Sequence, residues 1–142
     1  MNRLSRFQVV LAITVLGLAG ATYARADHGD NNNNETRLKT RLAGAAIQGK
    51  TPEGNAEFRS DSKGRMRFKV EVENVNLPPG TMLDVSVQHN GTKQTVGQIK
   101  LSALGEGELD LESQDGDTVP SVQTGDMVSV SNAGTSILAG VF

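Results

Sequence analysis

One segment of this 142-residue chain alternates apolar and charged side chains, and that period of two restricts the fold more than any other feature. Between residues 65 and 73, the apolar residues Met66, Phe68, Val70 and Val72 are separated by single charged residues. Such alternation predicts a strand with one buried face and one solvated face. No segment after residue 26 shows convincing helical spacing, so the pattern indicates an all-β protein.

Shorter stretches of the same pattern recur along the chain. Five of them alternate clearly and two more are less regular but typical of strands, which predicts about eight short strands in all. The clear segments are residues 38–42, 56–58, 83–87, 109–111 and 128–130, and the less regular ones are residues 96–101 and 137–142.

Turn-forming residues separate these strands at the expected places. Ser62-Lys63-Gly64 suits a three-residue hairpin loop with Gly64 in the left-handed region. That loop would place Phe58 opposite Phe68 and Glu57 opposite Lys69 on the two strands that it joins.

Two further turn signals complete the fold prediction. Asn90-Gly91 is the strongest short hairpin dipeptide, whereas Leu77-Pro78-Pro79-Gly80 indicates a stiff crossover between strands that do not pair directly. Short strands separated by such turns predict a single antiparallel β-sandwich, or a partly open barrel.

The N-terminus has the features of a secretory signal peptide. Arg3 and Arg6 supply the positive region, residues 9–21 are mostly apolar, and Ala24-Arg25-Ala26 offers the small-x-small cleavage pattern. We therefore predict cleavage after Ala26 and a secreted or periplasmic mature chain. The predicted organisation is a signal peptide at residues 1–26, a disordered polar leader at residues 27–35 and a β-sandwich domain at residues 36–142.

Composition excludes several classes of function. The absence of cysteine excludes disulfides, thiolate metal sites and cysteine nucleophiles. Without the signal peptide the chain has 11 basic and 16 acidic residues, a net charge of −5, and its only aromatic residues are Phe58, Phe68 and Phe142. It offers no platform on which bases stack, so we expect no nucleic-acid partner. No second apolar stretch follows residue 26, so we expect no transmembrane segment in the mature chain.

The leader contains one candidate metal site. Cleavage after Ala26 would place a free amine on Asp27 beside the imidazole of His28, and these nitrogens suit Cu²⁺ or Zn²⁺. The usual amino-terminal copper motif has histidine in the third position, whereas here it is second. A polar spacer with an incidental histidine is the alternative interpretation.

A second candidate is an acidic strand. Glu108, Asp110 and Glu112 alternate with leucines, so their carboxylates project from one face at spacings of about 7 Å. Such a row can bind Ca²⁺ or a basic partner. The alternative is a solvated face that pairs within the molecule with the basic strand face of Arg65, Arg67 and Lys69.

Candidates for catalysis are few. His89 lies in a predicted turn without a nearby residue of ligand or triad type, and no Gly-x-Ser-x-Gly motif is present. The composition therefore predicts that the chain is not an enzyme and needs no cofactor.

Several strand and glycine motifs between residues 36 and 142 are shared with a known family. They are Leu42-Ala43-Gly44, PEGNA at 52–56, FKVEV at 68–72, VGQIKL at 96–101, GDMVSV at 125–130 and AGVF at 139–142. In these motifs the chain resembles the CHRD domain, a secreted β module of chordin and of many bacterial exported proteins. That family usually has a histidine pair in the central hairpin and another near its end, of which this chain has only His89. The resemblance implies a secreted sandwich and adds little about activity.

These features together favour an exported, non-enzymatic protein with a binding or structural role in the cell envelope or extracellular space. Its partner would be an unidentified envelope component, polysaccharide or protein, and the uneven charge also allows self-association. The alternative is a periplasmic or extracellular metal-binding protein that uses either of the two candidate sites.

Overall fold

A computed structural model describes residues 34–142, and these form eight antiparallel strands with one short 3₁₀ turn at Ser113–Asp115. The strands are β1 (Thr36–Ala43), β2 (Glu53–Ser60), β3 (Met66–Glu73), β4 (Met82–His89), β5 (Thr92–Lys100), β6 (Gly107–Glu112), β7 (Met127–Asn132) and β8 (Thr135–Val141). The all-β prediction is confirmed. The predicted signal peptide and residues 27–33 of the predicted leader lie outside the described residues.

The eight strands form one sheet that curls until its two edges nearly meet. Its order is β5-β4-β7-β8-β1-β2-β3-β6, so β5 and β6 are the edges. A Cβ atom on Gly97 of β5 would lie 2.8 Å from the methyl groups of Leu109 on β6. A Cβ atom on Gly107 of β6 would lie 2.5 Å from Ile99 Cγ2. Because glycine has no side chain, the edges approach closely here and the sheet takes the partly open barrel form.

Apolar side chains fill the inside of the curled sheet. Every strand except β6 contributes a fully buried residue, and Leu109 and Leu111 of β6 pack against the cluster from its border. The alternation on β3 is realised as predicted, because Phe68, Val70 and Val72 are buried while their charged neighbours face outward.

The predicted hairpin between β2 and β3 is confirmed in its loop and in its register. Phe58 pairs with Phe68 and Glu57 pairs with Lys69, while Gly64 has a φ of +76°. The Asn90-Gly91 hairpin is also confirmed, since both residues have positive φ between β4 and β5. Primed turns of this kind match the twist of the strands that they join.

The crossover at residues 77–80 connects β3 to β4, which are not neighbours in the sheet, as the proline pair predicts. A second long connection, residues 116–126, contributes Val119 and Val122 to the core. Among residues 34–142, no helix is long and apolar enough to cross a membrane.

Candidate functional site

The outward side chains of β1, β2, β3 and β6 are mostly charged and form one surface, which we call the charged face. The charged residues of β1 are all cations and those of β6 are all carboxylates, while β2 and β3 carry both signs. The members are Arg37, Lys39, Arg41, Glu53, Asn55, Glu57, Arg59, Arg67, Lys69, Glu71, Glu73, Glu108, Asp110 and Glu112. The predicted basic and acidic strand faces thus lie on one sheet.

Strand register sorts these residues into rows that run across the strands. The central row alternates in sign, because Lys39 pairs with Glu57, Glu57 with Lys69, and Lys69 with Asp110. Opposite charges on directly paired residues stabilise a sheet, so this row contributes to the fold without a partner.

The row nearest the β2–β3 hairpin is different, because it sets three arginines side by side. Arg37 pairs with Arg59, Arg59 pairs with Arg67, and only the last position holds a carboxylate, Glu112 on β6. Like charges on paired residues destabilise a sheet. This arginine row therefore depends on carboxylates from outside the row.

Glu57 is the main source of that negative charge. Its carboxylate lies 3.1 Å from Arg37 Nε and 3.0 Å from Lys39 Nζ, and it also pairs with Arg59. Partial burial raises the pKa of Glu57, but hydrogen bonds from Arg59, Lys39 and Arg37 outweigh this effect and lower the pKa to about 2. One carboxylate thus serves three cations, and the cluster keeps a positive charge.

The carboxylates of β6 pair with the cations of β3. Arg67 Nε lies 2.9 Å from Asp110 Oδ1 and 3.0 Å from Glu112 Oε1, and Lys69 Nζ lies 3.3 Å from Glu108 Oε2. The hydrogen bond from Arg67 lowers the pKa of Asp110, and the carboxylates around Lys69, Glu71 first, raise the pKa of that amine. The pairing of the basic and acidic strand faces within the molecule is therefore confirmed for Arg67 and Lys69, whereas Arg65 pairs with Asp61 of the hairpin loop.

The residues predicted to bind metal fall in two places. Glu108, Asp110 and Glu112 lie along β6 as expected, each with a cation of β3 as its partner. Within residues 34–142, no group of three or more His, Asp or Glu side chains is arranged to hold a metal ion. The calcium hypothesis stays a prediction, and Asp27 and His28 lie outside the described residues.

Three open clefts follow one another along the charged face, and we call them together the charged groove. The first, of about 370 Å³, lies at the β2–β3 hairpin; the others, of about 220 and 350 Å³, continue between β1, β2 and β3. The first and middle clefts share Arg59 and Arg67, and the middle and last share Glu57, Lys69 and Glu71. The groove therefore follows the strand direction.

The lining of the charged groove is more basic than the described chain as a whole. Seven cations and five carboxylates line the three clefts. Residues 34–142 as a whole contain 11 basic and 14 acidic residues. The cations are Lys39, Arg41, Arg59, Lys63, Arg65, Arg67 and Lys69, and the carboxylates are Glu35, Glu57, Asp61, Glu71 and Glu112. Cations therefore exceed carboxylates in the lining, although Arg41, Arg67 and Lys69 also pair with carboxylates outside it, namely Glu53, Asp110 and Glu108.

The hairpin loop holds the first cleft in shape. Asp61 Oδ1 accepts hydrogen bonds from the backbone N–H groups of Lys63 at 2.9 Å and Arg65 at 3.0 Å. Desolvation acts to raise the pKa of Asp61, yet the hydrogen bonds from Arg65 and Lys63 prevail and lower it. Lys63 itself has no ion pair with any other residue of the described range, so its amine is available at the mouth of the cleft.

His89 has a partner that sequence reasoning missed. Its Nδ1 lies 2.7 Å from Asp126 Oδ1, and Asn90 Nδ2 lies 2.9 Å from its Nε2. Asp126 is buried and also accepts a 2.8 Å hydrogen bond from the backbone N–H of Gln123. The backbone carbonyl oxygen of Asp126 accepts a hydrogen bond from the Phe142 N–H. The His89–Asp126 pair therefore connects the β4–β5 turn with the segment around Phe142.

This histidine–aspartate pair matches two members of a catalytic triad. Within the described range, no serine or threonine hydroxyl forms a hydrogen bond with His89. The topology could have revealed the pair, because antiparallel pairing of β4 with β7 brings the end of β4 to the start of β7. The expectation that the chain is not an enzyme stays a prediction.

Comparison of the chain with models of known protein families and with curated proteins finds no match. The resemblance to the CHRD domain accordingly stays a prediction, carried by the strand and glycine motifs alone.

Proposed function

We propose that the chain is an exported, non-enzymatic module with a binding or structural role in the cell envelope or the extracellular space. The observation that carries this proposal is the charged groove, in which cations exceed carboxylates on the outside of a sheet whose inside is filled. A filled interior leaves the outer faces as the surface for a partner. The CHRD resemblance favours the same class of secreted β module.

The N-terminal pattern supports the exported location. Residues 1–26 combine a positive start, a short apolar run and a small-x-small end, which is the pattern that signal peptidase recognises. Because the chain has no cysteine, the exported fold would depend on its apolar core without disulfides.

Cell fractionation with intact-mass measurement tests the location. The producing cells are separated into cytoplasmic, envelope and extracellular fractions, and the chain is identified by its mass and its first residue. We expect a product that begins at Asp27 outside the cytoplasm. A variant with Leu16→Arg in the apolar run serves as the control and should stay inside at full length. Full-length wild-type chain confined to the cytoplasm would contradict the proposal.

Binding to the envelope tests the role. The exported protein is mixed with washed envelope material, and co-sedimentation is measured together with the native mass of the free protein. We expect co-sedimentation that weakens as salt screens the charged groove. A strictly monomeric protein that sediments with no envelope fraction would contradict a binding or structural role.

A further inference from the structure

We propose that the charged groove binds an acidic polysaccharide, whose carboxylate or sulfate groups occupy the arginine row and the hairpin cleft. This inference rests on the proposed function and names the partner of that same surface. The ligand chemistry is a series of oxyanions repeated along an extended chain.

The shape of the groove favours an extended ligand. Its three clefts share lining residues and run from the hairpin loop to the row of Arg41 and Glu71. Along β2, the rows from Arg59 to Asn55 span about four residues, or roughly 14 Å of strand, and the hairpin cleft extends the groove further. A compact ion would occupy only one cleft, whereas several units of a polymer can lie along all three.

The positive charge in the groove is incompletely neutralised where the clefts meet. Arg59 lines two of the clefts, and it forms an ion pair with Glu57, which also pairs with Arg37 and Lys39. Lys63, at the hairpin end, pairs with no described residue. An oxyanion near Arg59 would supply the second carboxylate-like charge that the cluster lacks, and the planar guanidinium suits a two-oxygen contact.

The arginine row also favours an anionic ligand. Its paired like charges weaken the sheet, while the neighbouring row of Lys39, Glu57, Lys69 and Asp110 shows that alternating signs fit the same strands. A bound polyanion would relieve this repulsion. The row then contributes affinity for the ligand in place of stability for the free chain.

Other classes of partner fit less well. β2 and β3 each pair along their length with strands on both sides, so an acidic peptide finds no free strand edge at the centre of the groove. The large exposed apolar residues of the described range, Met82, Leu104 and Val141, lie outside the charged face. The charged face therefore has no large apolar side chain that could insert into a lipid surface. The groove also has no aromatic side chain on which a base could stack.

Calorimetric titration tests the inference with defined polymers. The purified chain is titrated at about 20 mM salt with polygalacturonate, which carries carboxylates, with heparin, which also carries sulfates, and with neutral dextran. Vesicles of anionic phospholipid serve as a separate arm. We expect one or both acidic polymers to bind, dextran and vesicles to remain unbound, and affinity to fall at about 200 mM salt.

Three variants locate the site. Arg59→Gln should weaken binding by about tenfold, because it removes a cation that lines both the hairpin cleft and the middle cleft. Glu57→Gln should tighten binding by about threefold, because it removes the carboxylate that competes with the ligand. Lys93→Gln, on β5 and outside the groove, removes an equal charge and should leave binding unchanged. Circular dichroism confirms that each variant is folded before titration.

The opposite signs of the first two variants separate a local site from general attraction to positive charge. Equal loss with Arg59→Gln and Lys93→Gln overturns the inference, as does weaker binding by Glu57→Gln. No binding of either acidic polymer, equal binding of dextran, or binding of vesicles alone overturns it too. If the chain is exported and these titrations fail, only the ligand assignment fails. If it is retained in the cytoplasm, the proposed function fails whatever the titrations show.

Discussion

The two halves of the curled sheet have similar insides and different outsides. Both bury valines and leucines, but β1, β2, β3 and β6 present the charged face, whereas β4 and β7 alternate core valines with serines that are themselves buried. We call this second set of residues the hydroxyl face; its members are Ser86, Ser129 and Ser131, which are buried, and Thr95 of β5, which is exposed. On it, Ser86 Oγ lies 3.2 Å from Thr95 Oγ1, and Asp84 is tied to Gln98 by a 2.8 Å hydrogen bond.

This difference distinguishes the residues that the fold requires from those that we attribute to binding of a partner. The hydroxyl face shows that strands around the same apolar interior can carry small neutral residues at positions where the other half carries charges. The dense charge of the other half, and the arginine row in particular, is therefore not a requirement of the sheet. We attribute it to recognition, and the following experiments act on one half or on the join between the two.

The largest effect is expected where the halves join, at the narrow contact of β8 with β1. Gly44 lies there, and a Cβ at this position would be 1.8 Å from the carbonyl oxygen of Ile137. We expect Gly44→Ala to destabilise the chain by about 3 kcal/mol, since backbone must move to accept the methyl group. Urea denaturation followed by circular dichroism measures this. Ala45→Ser, at an exposed neighbour, should change stability by less than about 0.5 kcal/mol. Equal stability of the two variants would contradict the close contact.

The second largest effect is expected from acid, which should lower the stability of the half of the sheet that carries the charged face. The folded pKa of Glu57 is lowered from 4.5 to about 2, so the stability that its ion pairs contribute is present above pH 4.5 and is lost as the pH falls towards about 2. At neutral pH we expect Glu57→Gln to lose about 1 to 2 kcal/mol. Denaturation at pH 7 and pH 3 measures both quantities. The variant should depend less on pH than the wild type, with Asp61 and Asp110 responsible for the rest. Parallel pH profiles would contradict the role given to Glu57.

A smaller effect is expected from salt, which should change the stability cost of a substitution on the charged face and not that of one on the hydroxyl face. Asp110→Asn removes the charge that pairs with Arg67, and we expect a loss of about 0.5 to 1 kcal/mol that shrinks in high salt. Ser129→Ala, at a buried position of the hydroxyl face, removes no charge, so any change in stability should be the same at both salt concentrations. Denaturation midpoints at two salt concentrations check this, and a salt-dependent effect of Ser129→Ala would remove the contrast.

Calcium should have the smallest effect on the charged half. Since each carboxylate of β6 has a cationic partner, we expect millimolar Ca²⁺ to change Tm by less than about 1 °C. Circular dichroism is the measurement, because residues 27–142 contain neither Trp nor Tyr. A larger rise in Tm that Asp110→Asn abolishes would instead establish the calcium site predicted at Glu108, Asp110 and Glu112.

Local signals explain how much of the fold was predictable. The loop at residues 62–64 determines its own hairpin register, so the pairing of Phe58 with Phe68 followed from the sequence. The pairing of β3 with β6 joins segments 43 positions apart at Arg67 and Asp110, and no turn connects them. Which strands meet there depends on how the whole sheet curls.

The candidate site was predictable in its parts and not in its arrangement. Alternation identified Arg67, Lys69 and the β6 carboxylates as outward residues, but the balance of charge depends on which strand lies beside which. The arginine row needs the registers of β1, β2 and β3 together. His89 and Asp126 are likewise 37 positions apart, and the antiparallel pairing of β4 with β7 brings them together.

The most direct test of the charged groove as a polysaccharide site is an NMR titration of the ¹⁵N-labelled chain with polygalacturonate fragments and, in a separate experiment, with heparin fragments, followed through the backbone amides. We predict shift changes that saturate at residues of the groove, led by Arg59 and the hairpin loop, with the hydroxyl face around Ser129 unchanged. Shift changes centred on the hydroxyl face, or none on the groove at saturating ligand, would contradict the account.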